Sequence, residues 1–171
     1  MKIAITGSFC TGKTTLAKDL SEATGFRMLP EVARLMIEEG YKLDKEVTPE
    51  IEHEIIKRQV FLELGGVYED IIADRCLIDI AAYCSVLFKN EHDFLNEVSY
   101  KLSRARYDFI FYLEPEFSIE DDGIRSTDIK FQKQVDKQII KILKTKFFPN
   151  WYKISGTPKE RVSKILKIIK T

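Results

Sequence analysis

The stretch KIAITGSFCTGKTTLAKDL, residues 2–20, constrains the fold more than any other part of the chain. An apolar run of strand character leads into a loop with Gly7, Gly12, Lys13 and Thr14 in the order G-x-x-x-x-G-K-[ST]. Leu16, Ala17 and Leu20 then recur at helical spacing. The glycines let the backbone curl until its N–H groups converge on phosphate oxygens, and the helix start adds the positive end of its dipole. Gly7, Cys10, Thr11, Gly12, Lys13, Thr14 and Thr15 are therefore candidate ligands of a nucleotide triphosphate. Lys13 supplies a point charge between β- and γ-phosphates, and the Thr14 hydroxyl is offered to Mg²⁺. Phe9, Cys10 and Thr11 fill permissive positions, and Cys10 is assigned no chemistry of its own.

The rest of the chain continues the alternation. Strands are expected at 2–6, 26–30, 69–74, 107–113 and 151–155. Helices are expected at 13–23, from Val32 to a stop at Gly40, from Pro49 to Gly65, at 78–88, 93–104 and 127–146, and from Pro158 onward. Strands separated by helices cannot form hairpins, so the pattern predicts an α/β fold with a five-stranded parallel sheet covered on both faces. Ligands in such folds sit outside the carboxyl ends of the strands. With no repeat or linker, 171 residues fit one domain spanning 1–171.

Composition narrows the partners. Lys plus Arg and Asp plus Glu each total 27, so nothing in the overall charge favours tracking a nucleic-acid duplex. Cys10, Cys76 and Cys84 lack metal-ligand spacing with the two histidines, which predicts reduced thiols. The longest apolar runs, such as FIFYL, are too short for a membrane span, and the N-terminus does not read as a signal peptide. A soluble, cytoplasmic protein is expected.

A phosphate loop serves switches, motors and kinases alike, and the other strand ends must choose. No guanine-reading N-K-x-D segment is present. The third expected strand ends in Asp74-Arg75, not in the Asp-Glu of a motor ATPase. Asp74 can hold Mg²⁺ through water or accept the proton of an attacking hydroxyl, and Arg75 can clamp an anion. Glu31 closes the second strand in LPEVAR and can hydrogen-bond or deprotonate an acceptor hydroxyl. Asp79 and Tyr83 follow at helical spacing and either line an acceptor pocket or serve as a surface aspartate and a core tyrosine. Phe109, Phe111 and Tyr112 read as core.

GSFCTGKTT, PEVAR, DRCLIDIAAY, YDFIFYLEPEF, DDGIR and SGTPKERVSKIL, in that order, resemble the small AAA-labelled P-loop family related to bacterial ribosylnicotinamide kinase. More distantly the layout is similar to deoxynucleoside and thymidylate kinases. The resemblance implies a three-layer P-loop kinase fold with strand order 2-3-1-4-5. It also implies ATP and Mg²⁺ as co-substrates, with phosphoryl transfer to a nucleoside-like hydroxyl or a nucleoside monophosphate. It further implies a lid around residues 115–127, containing Asp121, Asp122 and Gly123, whose Arg125 closes on the moving phosphoryl. Gly156 and Thr157 would lie beside the adenine. So few lid arginines favour an uncharged acceptor, although Arg34, Arg75, Arg104 and Arg106 could supply an acceptor-phosphate site. Asp74 and Glu31 remain alternative bases. A kinase of a nucleic-acid acceptor and a nucleotide-regulated module without transfer activity remain alternative functions.

Overall fold

Side-chain alternation along the strands decides where the helices lie. In β1 (Lys2–Thr6), Ile3 and Ile5 point to one face of the sheet and Ala4 to the other. β3 (Ile71–Asp74) sends Ile72 with the first set and Ile71 and Ala73 with the second, and β4 (Phe109–Leu113) divides Phe111 and Leu113 from Ile110 and Tyr112. The first face is covered by α1 (Lys13–Thr24) and α7 (Pro158–Ile169), through Leu16, Ala17, Leu20 and Ile165. The second carries α2 (Val32–Glu38), α3 (Pro49–Gly65), α4 (Leu77–Leu87), α5 (His92–Arg104) and α6 (Ile129–Leu143). Helix α4 lies deepest, with Leu77 through Ala82 and Cys84 buried, because α3, α5 and α6 surround it.

These relations come from a computed structural model, which describes residues 1–43, 47–65, 70–115 and 128–170, without the side chains of 64 and 65. With β2 (Arg27–Leu29) and β5 (Trp151–Ile154), the strands form one parallel sheet in the order β2-β3-β1-β4-β5, the expected architecture. The expected lid from 116 onward, including Asp121, Asp122, Gly123 and Arg125, lies outside the described residues.

Several expected strands are trimmed. β4 starts at Phe109 and not at Tyr107, because the Asp108 carboxylate accepts the Lys2 N–H at 2.6 Å and the Tyr107 hydroxyl turns to Glu63. β2 keeps three residues, since Pro30 ends its ladder. Among the described residues, no helix is long and apolar enough to cross a membrane.

Candidate active site

The loop between β1 and α1 is shaped by close approach as much as by phosphate chemistry. A Cβ on Gly7 would sit 2.4 Å from the Leu113 carbonyl oxygen, so only hydrogen fits where the loop passes the end of β4. Gly12 (φ 82) and Cys10 (φ 58) occupy the left-handed region, and the alternation turns successive peptide planes into a concave nest. The Lys13 ammonium is buried against its own loop, donating to the Gly7 carbonyl at 2.8 Å, to the Ser8 carbonyl and to Thr11 Oγ1 at 3.3 Å. Burial, and then the Arg75 charge, push its pKa down to about 8. An anion in the nest would raise it again by stabilising the charged form. Thr14 is half-buried and Thr15 exposed.

The neighbouring strands bring their ends to the same edge. Ile5 is in register with Asp74, and Ala73 with Leu29, which places Asp74-Arg75 and Pro30-Glu31 beside the loop. Asp74 has the parity of Ile72 and so projects toward the start of α1, where Thr14 sits. Among the described residues, neither of its buried carboxylate oxygens has a hydrogen-bond partner of good geometry. Burial raises its pKa, with Thr14 acting in the opposite sense. A buried carboxylate left in this state beside a hydroxyl fits a hydrated divalent cation, and Thr14 and Asp74 are the groups that would hold it.

Arg75 adopts φ 70, costly for a residue with a side chain and held only where its surroundings enforce it. Its N–H donates to Ile5 and its carbonyl accepts from Gln59 Nε2. The guanidinium pairs with Glu31 at 2.7 Å and lies over the Tyr83 ring at 5.2 Å. Tyr83 in turn meets Phe131 edge-on, and Phe131 stacks on Phe9 of the loop. Glu31, Arg75, Tyr83, Phe131 and Phe9 thus form one continuous wall from the end of β2 to the phosphate loop.

Other expected positions are placed differently. Asp79 is not a surface aspartate: it is fully buried, and its two oxygens accept the N–H groups of Gly7 at 3.1 Å and Cys76 at 3.0 Å. It ties the loop to α4. Arg104 and Arg106 precede β4 and therefore lie at the amino end of a parallel sheet, opposite the site, so the expected acceptor-phosphate role for them is corrected. Arg34 is half-buried on α2. Gly156 (φ 108) and Thr157 form the turn into α7, where the Thr157 side chain and Glu160 cap the helix reciprocally. A cleft of about 750 Å³ between α3 and α5, lined by His53, Phe94 and Glu97 among others, shares no residue with the loop.

Sequence reasoning missed the polar stripe on α3. Glu52, Gln59 and Glu63 are all buried, at spacings of seven and four that do follow a helical face. Glu63 accepts from Tyr107 and Gln59, and Gln59 reaches Arg75. The Glu52 carboxylate accepts from the Cys84 thiol at 3.8 Å, and burial pushes its pKa up to about 7. A carboxyl whose folded-state pKa lies above its unfolded value of 4.5 stabilises the fold at low pH and loses that contribution as pH rises through about 7. Glu52→Gln is therefore expected to be more stable than the parent at pH 8 by up to about 3 kcal/mol. The advantage should shrink toward zero at pH 4.5, and thermal unfolding across that range checks it. A pH-independent difference would refute the assignment.

A phosphate loop after the central strand, with an acid-arginine pair after its neighbour and order 2-3-1-4-5, defines a P-loop kinase fold. The chain belongs to the AAA domain family, whose model matches residues 2–161. No curated protein matches the sequence. Among solved structures, deoxyadenosine kinase from M. mycoides with products dCMP and dCDP is 18% identical, with TM-score 0.74 and 99% of both chains covered. NadR protein in complex with NR is 17% identical at TM-score 0.84, over 99% of this chain. A second NadR complex, with NAD and AMP-PNP, is 14% identical at TM-score 0.81. The chain spans 51% and 49% of those two NadR chains, about half their length. Thymidylate kinase from Candida albicans is 18% identical at TM-score 0.72, covering 98% of this chain and 90% of that one. The resemblance read from the motifs and the fold it implies both hold.

Proposed function

We propose that residues 1–171 form one nucleotide-binding domain that moves the γ-phosphoryl of ATP to a hydroxyl of a nucleoside-like small molecule, or to a nucleoside monophosphate. One observation carries the reading: the buried Lys13 loop, the buried Asp74 carboxylate beside Thr14 and the Glu31–Arg75 pair converge at three adjacent strand ends. The named substrates of the kinases that share the fold, and the AMP-PNP in one NadR complex, agree with it.

In this reading the loop amides and Lys13 hold the β- and γ-phosphates in place for an in-line transfer. Thr14 and Asp74 would hold Mg²⁺, which would supply neutralisation of phosphate charge. Glu31, fixed by Arg75, accepts the proton of the acceptor hydroxyl, while Tyr83 walls the acceptor side. Asp79 is a framework residue, both of its oxygens being engaged. Gly156 and Thr157 pass the adenine, and Arg125 is assigned to the charge of the moving phosphoryl. Of the arginines once open for an acceptor phosphate, only Arg75 faces the site in a described contact, and it is already paired with Glu31. That favours an uncharged acceptor over a monophosphate.

The test is ADP release from Mg·ATP across nucleosides, nucleoside monophosphates, ribosylnicotinamide and short DNA. Nucleosides should raise the rate well above the background hydrolysis. If no acceptor raises it while ATP still binds, the chain is a nucleotide-regulated module; stimulation by DNA alone would shift the reading to a nucleic-acid kinase.

A further inference from the structure

Two buried side chains from the last third of the chain hold carbonyls of the phosphate loop. Gln132, on α6, donates from Nε2 to the Phe9 carbonyl at 2.7 Å. Arg161, on α7, donates from Nη1 to the Thr11 carbonyl at 3.0 Å and from Nε to the Gly156 carbonyl at 2.9 Å. They are 5% and 3% exposed, so neither bond competes much with water.

The consequence follows from peptide geometry. Every described peptide is trans, and in a trans peptide the C=O and N–H of one plane point in opposite directions. Drawing the Phe9 carbonyl toward α6 therefore aims the Cys10 N–H the other way. Drawing the Thr11 carbonyl toward α7 does the same for the Gly12 N–H. Cys10 (φ 58) and Gly12 (φ 82) are left-handed residues of the loop, where the direction of each plane decides whether the nest is concave. A donor on the carbonyl also polarises the amide of the same plane, and Arg161 does so with a full charge.

We infer that Gln132 and Arg161 are positioning residues of the phosphate site: each orients and polarises one amide of the anion nest, Cys10 N–H through Gln132 and Gly12 N–H through Arg161. The inference rests on the reading that the loop binds a phosphate chain, but not on transfer to any acceptor.

The experiment uses the full chain, Mg·pyrophosphate as probe, and the variants Gln132→Met and Arg161→Lys. Met keeps the length and burial of Gln132 without its donor, and Lys keeps the charge of Arg161 without a fork able to span two carbonyls. Each variant should bind pyrophosphate about tenfold more weakly, the loss expected for one charge-assisted hydrogen bond. Amide NMR supplies the readout that a structural role would not give. On pyrophosphate addition, Gln132→Met should lose the response of the Cys10 amide and keep that of Gly12, and Arg161→Lys should do the reverse. Parental affinity in both variants overturns the inference, as does equal loss of both amide responses in each. If Gln132→Met melts well below the parent, Arg161→Lys alone decides by the same criterion. A parent whose Cys10 and Gly12 amides ignore pyrophosphate also overturns it. A parent that shows the residue-specific pattern yet turns over no acceptor upholds the inference and refutes the kinase reading.

Discussion

Lys13→Ala is expected to lower acceptor-dependent ADP release by roughly a thousandfold or more, the scale of removing a preorganised charge from a transferring group. The variant should still fold. In the parent the ammonium is buried among loop carbonyls with its pKa pushed down to about 8, so its removal relieves a buried charge as well as deleting its hydrogen bonds. The thermal midpoint should stay near the parental value while ATP affinity collapses. Calorimetric titration with ATP, set beside the unfolding curve, separates the two. Parental turnover in the variant would exclude Lys13 from contact with the phosphates.

Glu31→Gln should produce the opposite division. ATP affinity should remain within about twofold of the parent, while turnover with the best acceptor falls by a factor on the order of 10² to 10⁴, the usual contribution of a positioned base. The physical reason is location. Glu31 follows β2, one strand further from the loop than Asp74, and its carboxylate pairs with Arg75. Asp74→Asn serves as the comparison, since its loss should weaken the magnesium dependence of ATP binding as well as turnover. Full activity in Glu31→Gln would move the base to Asp74.

The parts of this fold that were legible in the sequence are those written locally. β1, the loop and α1 follow from a strand-loop-helix signature, and β4 from an unbroken FIFYL run buried on both faces. The order of the strands needed the family resemblance, because periodicity says which residues face a core but not which strand lies beside which. The positions of Asp74, Arg75 and Glu31 at adjacent strand ends were readable for the same reason. The sequence leaves Asp79 open between an acceptor-pocket residue and a surface acid, because a first-turn aspartate looks alike whether it faces a ligand, water or a distant amide; the Gly7 N–H that it receives lies 72 residues away. Gln132 and Arg161 carried no signal at all. Each sits beside an amphipathic stripe, Phe131 and Val135 in one helix and Val162 and Ile165 in the other, where polar residues ordinarily meet solvent. Their partners are 123 and 150 residues back along the chain.

That separation bears on when the protein first becomes competent during its synthesis. The loop leaves the ribosome well ahead of α7, and β1 can pair with β3 once both have emerged. The plane that carries the Gly12 amide, however, is set by a guanidinium on α7. A nascent chain thus carries the phosphate motif long before it carries an oriented nest. If the loop takes a triphosphate as proposed, its capture would depend on the docking of α7 as much as on the glycines.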